Sequence, residues 1–236
     1  FPDEAVDPAI VAAPDDPSAY DALGHALAGA NHPRAKLIAA QRAGDTSAAA
    51  RILAAHAQAL LGPLAPYVRT LDEDGAEAFT WRWGFIQKAR VSVDGDAHPG
   101  ESAADVVFEL LSHPSGAYVR ELTLARARTQ GWEWDYGDAL GAIALAAPAT
   151  LSRLFVGDFA YPDDTEISWA KLGDASLLWA ALPALEDVTF QGAEAYFGEI
   201  DAPRLRHFEV RTGGLPQAAL RSIAAARWPA LETLIV

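Results

Sequence analysis

Leu151-Ser152-Arg153-Leu154-Phe155-Val156 sets apolar residues at its first, fourth and sixth positions and polar ones between. The same apolar-x-x-apolar-x-apolar frame recurs at Val119-Arg120-Glu121-Leu122-Thr123-Leu124 and at Leu185-Glu186-Asp187-Val188-Thr189-Phe190. It appears twice more, at Leu205-Arg206-His207-Phe208-Glu209-Val210 and Leu231-Glu232-Thr233-Leu234-Ile235-Val236. Successive frames begin 32, 34, 20 and 26 residues apart. Pro183, Pro203 and Pro229 stand two residues before a frame, and Pro148 three before. A proline there stops a helix and delivers the chain into a strand. Apolar residues at helical spacing fill 102–111, 137–147, 175–182 and 217–227, so strand and helix are expected to alternate. Residues 191–202 are too short and too glycine-broken for a helix.

Such a frame at intervals of about 20 to 29 residues is the pattern of leucine-rich repeats. There each unit supplies a strand and a helix, and neighbouring units bury a shared core. Two intervals are longer, so insertions are expected after Leu124 and after Val156. The expected fold class is α/β: an irregular, right-handed leucine-rich-repeat solenoid with parallel strands over residues 71–236. A small all-helical domain over residues 1–70 is expected to precede it, with the junction within residues 63–85.

The frame makes a prediction about charge. Ala89-Arg90-Val91-Ser92-Val93 alternates apolar and polar like a further strand. Stacked in register, the residues before the central apolar position would read Arg90, Glu121, Arg153, Asp187, His207, Thr233. The first four alternate in sign, which favours direct sheet neighbours by about 0.2 to 1 kcal/mol each. The next exposed column would read Ser92, Thr123, Phe155, Thr189, Glu209, Ile235.

Helix signals fill the N-terminal third. Asp15-Asp16-Pro17-Ser18 is a helix start, followed by Tyr20, Leu23 and Leu27 at helical spacing. Pro33 suits the first turn of the next helix, and Thr46 or Ser47 can cap a third that runs towards Gly62-Pro63. This region resembles the repeat-companion domain found beside bacterial leucine-rich repeats. The matching residues are Pro14-Asp15-Asp16-Pro17, Tyr20 with Leu23 and Leu27, Pro33-Arg34-Ala35, and Leu37-Ile38 with Gln41. Leu60-Leu61-Gly62-Pro63-Leu64 and Trp81-Arg82-Trp83-Gly84-Phe85-Ile86 look like the family's run into its first repeat strand. Ala26 stands where the family has tryptophan, and Ala35 where its turn has glycine. The resemblance implies an architecture and carries no enzymatic activity or site residue with it.

Composition narrows the function classes. The formal net charge of −14 disfavours binding to a phosphate backbone and suits a basic protein partner. No apolar run reaches the length of a membrane span, and no signal-peptide pattern opens the chain. The absence of cysteine removes disulfides and thiolate sites and fits a reducing compartment, so a cytoplasmic location is expected. With no methionine even at position 1, the chain reads as lacking its start.

Catalytic chemistry finds no foothold in the pattern. The six histidines show no tight ligand spacing, and no nucleophile elbow, phosphate loop or dinucleotide fingerprint occurs. No catalysis, cofactor or metal is expected. The unusual cluster is Trp132-Glu133-Trp134-Asp135-Tyr136 in the first insertion; the second holds Phe159, Tyr161 and Trp169 among acids. Aromatic residues of this kind anchor interfaces. The expected binding residues are Trp132, Trp134, Tyr136, Tyr161 and Trp169 on that edge. On the strand face they are Glu121, Arg153, Phe155, Asp187, His207 and Glu209. The expected function is protein binding or scaffolding, with no nucleic acid and no membrane. The alternative is a permanently assembled subunit of a larger complex, with an enzyme of unknown type behind it.

Overall fold

In the computed structural model, which describes residues 6–67, 78–94, 102–128 and 133–236, the N-terminal helices begin where the sequence supplies a cap. α1 (Pro8–Ala12) and α2 (Pro17–Gly29) each carry proline in the first turn behind a capping aspartate, Asp7 and Asp16. His32 Nδ1 caps α3 (Pro33–Arg42) by accepting from Arg34 N. α4 (Thr46–Ala55) is capped by Asp45, not by Thr46 or Ser47. Its carboxylate accepts from Ala48 N at 2.8 Å and so satisfies a donor of the first turn. α5 (Ala57–Leu61) follows.

β1 (Phe79–Arg82) and β2 (Phe85–Asp94) form an antiparallel hairpin. Its turn residues Trp83 and Gly84 both have positive φ, 49° and 86°, the geometry that matches strand twist across a two-residue loop. α3 grips this turn. Arg34 Nη1 donates to Gly84 O at 2.6 Å, Gly84 N donates to Gln41 Oε1 at 2.7 Å, and Gln41 Nε2 donates to Trp81 O at 3.3 Å. A Cβ on Gly84 would stand 2.6 Å from Ile38 Cγ1, so only glycine lets helix and turn meet this closely.

The remaining elements are α6 (Ala103–Ser112), β3 (Glu121–Arg128), β4 (Trp134–Asp135), α7 (Gly137–Ala146), β5 (Arg153–Val156), β6 (Ala170–Asp174), α8 (Leu178–Ala181), β7 (Asp187–Gln191), β8 (Ala193–Tyr196), β9 (His207–Arg211), α9 (Gln217–Ala224) and β10 (Thr233–Ile235). The fold is mixed α/β with an open, mostly parallel sheet. One ladder runs β2-β3-β5-β7-β9-β10, all parallel. A second, β4-β6-β8, is also parallel and joins the first through an antiparallel pairing of Arg128 with Trp134. Residues 191–202 thus hold a strand, β8.

The five frames share backbone geometry. The N–H of Val119, Leu151, Leu185, Leu205 and Leu231 each donates to the carbonyl three residues earlier, at 3.0 to 3.2 Å. The next two N–H groups of the last four frames then share one carbonyl of the preceding frame: Arg120, Ser152, Glu186 and Arg206 in turn. This sets the register Glu121–Arg153–Asp187–His207–Thr233. Leu122, Leu154, Val188 and Phe208 line up in the core at 0 to 2 % exposure.

Two positions differ from the expected ladder. Arg90 pairs with Thr123, and Lys88 takes the place opposite Glu121. β2 begins at Phe85, and Arg120 N donates to Gln87 O, which fixes the offset. A shift of two residues keeps Ala89 and Val91 on the core side. Leu234, expected in the core, is 48 % exposed because β10 is the edge of the sheet.

Candidate site on the outer strand face

The face of the long ladder turned away from the core carries the sequence-derived strand residues together. In the first column, Glu121 accepts from Lys88 Nζ at 2.9 Å and from Arg153 Nη1 at 3.2 Å. Asp187 follows, with no ion-pair partner among the described residues, and then His207. In the second column, half-buried Phe155 stands between Thr123 and Thr189. The Arg211 guanidinium lies 5.4 Å from the Phe155 ring centroid. It is held there by two hydrogen bonds to Glu209, at 2.8 and 3.2 Å. His207 Nε2 is 3.5 Å from Glu209 Oε2, the oxygen that also accepts from Arg211 Nη2. Arg211, and after it His207, hold the Glu209 carboxyl below its usual range, while the same contact raises the guanidinium.

Residues 157–169 close one end of this face. Gly157 turns the chain with φ 88°, and a Cβ there would meet Gln191 O. The loop then lies back across the strand ends. Arg90 Nε donates to Asp158 at 3.0 Å, Gln191 Nε2 donates to Phe159 O at 2.8 Å, and Arg126 stands 3.9 Å from Asp164. Asp164 in turn accepts from Ala160 N at 2.8 Å. Held in this way, the loop leaves Tyr161 56 % and Trp169 47 % exposed, beside the exposed acids Asp163 and Glu166.

The aromatics of the first insertion behave otherwise. Trp134 and Tyr136, expected to bind, are buried at 4 % and 0 %. Residues 134–135 are β4 and pair with β6, which turns Trp134 into the core, where its ring meets Phe159 edge-on at 5.2 Å. Tyr136 donates its hydroxyl to Ala125 O at 2.6 Å, and burial pushes its phenol up. Trp132 lies outside the described residues. Gln191 and Arg211, which help hold the site, were not among the residues expected from the sequence, and Arg90, expected in the charged column, instead holds the loop through Asp158.

Other features carry less chemistry. A groove of about 700 Å³ between α4, α5 and β1 is walled by Leu53, Ala57, Phe79 and Trp81. Among the described residues no cluster of histidine and carboxylates could hold a metal ion, and no helix is long and apolar enough to cross a membrane.

No protein-family model and no curated protein matches the chain. A crystal structure of a protein from Bacteroides fragilis is similar in fold, with a TM-score of 0.55 and 20% sequence identity. The match covers 79% of this chain and 52% of that one, so this chain spans about half the length of its structural neighbour.

Proposed function

We propose that this chain is a protein-binding or scaffolding protein of the leucine-rich-repeat kind, with no catalytic role. The shared turn and shared carbonyl of the frames support reading each as one repeat unit. The grip of Arg34 and Gln41 on the hairpin supports reading residues 1–70 as a repeat-companion-like cap on a solenoid over 71–236. Both residues belong to the resemblance of the N-terminal region to that family.

The observation that carries the binding role is the pinned loop. Tyr161 and Trp169 are large aromatics held exposed on a preorganised loop beside the strand face. Those contacts hold the loop before any partner arrives, so less entropy is lost on docking. A Tyr161→Ala, Trp169→Ala double variant should lose a partner that the unaltered chain captures from native lysate, at unchanged melting temperature. Equal capture by both proteins would reject the surface.

A second reading is a permanently assembled subunit of a larger complex. Light scattering on the pure chain separates the two readings: a monomer favours transient binding and a stable oligomer favours assembly.

A further inference from the structure

We propose that the strand face receives a basic, extended protein segment, with Asp187 taking a lysine or arginine side chain and Phe155 the apolar residue beside it. This rests on the binding role proposed above and names the chemistry of the partner.

The argument is one of charges already spent and charges still open. Each cation of the face and its loop whose side chain is described is in an ion pair: Lys88 and Arg153 with Glu121, Arg90 with Asp158, Arg126 with Asp164, and Arg211 with Glu209. The groups left without an ion-pair partner among the described residues are Asp187, Asp163 and Glu166, all carboxylates. An acidic partner would have to break an existing pair and approach a chain of net charge −14. A basic partner gains a new pair at Asp187 and breaks none, and the long-range field draws it in.

Spacing points to an extended segment. Asp187 and Thr189 lie on one face of β7, two residues apart, and Phe155 is the direct neighbour of Thr189. Asp187 and Phe155 are therefore diagonal neighbours, separated by roughly 8 Å from the spacing between strands and the rise of two residues. Side chains two apart in an extended chain are spaced by about 6.6 Å, so a cation and an apolar residue in that relation reach both positions. The Arg211 guanidinium meets the Phe155 ring from β9, four residues further along than His207, the residue paired with Asp187, so the Asp187 end of the pair is left to the segment.

The test uses three synthetic peptides of one scaffold, with leucine at the centre and threonine elsewhere. They carry lysine, glutamine or glutamate two residues either side of the leucine. Binding is read by fluorescence anisotropy on the full chain and on Asp187→Asn, Asp187→Lys, Phe155→Ala and, as a control on the helix side, Asp138→Asn. The lysine peptide should bind most tightly. Asp187→Asn should weaken it about fivefold to tenfold, Asp187→Lys should transfer the preference to the glutamate peptide, and Asp138→Asn should leave it unchanged. If Phe155→Ala weakens all three peptides while the Asp187 variants do not alter their order, the face binds without regard to charge and this inference falls alone. If no peptide binds, or Phe155→Ala changes none of them, the binding face falls with it.

Discussion

Arg34 and Gly84 are joined by a 2.6 Å hydrogen bond inside the core, where the arginine side chain is 2 % exposed. The other terminal nitrogen donates to Ser115 Oγ at 3.1 Å, and the guanidinium lies 4.6 Å from the Phe85 ring centroid. One planar group thus ties α3 to the hairpin and to the segment before β3. Arg34→Ala should cost about 3 kcal/mol or more, because a buried carbonyl and hydroxyl lose a charged donor. Arg34→Lys should recover only part of this, since an ammonium cannot fork across both acceptors. Urea melts that show no difference between the two variants would reject the role of the fork.

Leu154 and Leu234 occupy the same position of the frame but differ in burial, at 2 % and 48 % exposure. Leu154→Ala should therefore cost about 2 to 5 kcal/mol. Leu234→Ala should cost about 1 kcal/mol or less, because most of its transfer free energy was never gained. Comparable losses in denaturant melts would mean that the edge of the sheet is covered in solution.

Asp15 makes part of the fold sensitive to acid. Its carboxylate accepts from Arg120 at 2.7 Å and from Arg82 at 2.8 Å, and these bonds hold its pKa below the ordinary 3.8. A depressed carboxyl stabilises the fold fully above its unfolded pKa, and that contribution is lost as pH falls through the folded value. Asp15→Asn should lower stability at pH 7 by about 1 kcal/mol or less, since the side chain is 65 % exposed and screened. The gap between variant and parent should begin to narrow near pH 4 and close once the pH falls below the folded value. A gap that stays constant between neutral and strongly acid conditions would show that the ion pairs contribute nothing.

Gln191 holds the loop from the strand side through its bond to Phe159 O. Gln191→Ala should cost about 1 to 2 kcal/mol, as a buried carbonyl is left without its donor. Amide hydrogens of residues 158–165 should then exchange faster, while those of β7 keep their protection. Unchanged exchange in the loop would assign its order to the Arg90 and Arg126 contacts instead.

The long ladder was legible because its period is written in apolar residues. Leu122, Leu154, Val188 and Phe208 could be aligned by the frame alone, and outward Phe155 followed from strand alternation. The second ladder was not legible. β4, β6 and β8 run two to five residues, and Gly173 and Gly192 interrupt or flank them. Their pairing joins segments more than twenty residues apart, so no local pattern announces it. The burial of Trp134 and Tyr136 follows from that hidden pairing. Leu234 shows a further limit: the frame reports which way a side chain points, and burial also depends on a neighbour beyond it.

The open edge at β10 gives the sheet a direction of unfolding. Every inner strand of the long ladder is bonded on both sides, whereas β10 is bonded only to β9. Loss of β10 uncovers Phe208 and Trp228, whose rings meet at 5.2 Å, and so weakens the next strand in turn. The opposite end is locked by the β1–β2 hairpin under α3. In the 236-residue chain taken by itself, the long ladder should therefore open from β10 towards β3, with local opening free energies climbing strand by strand in that order.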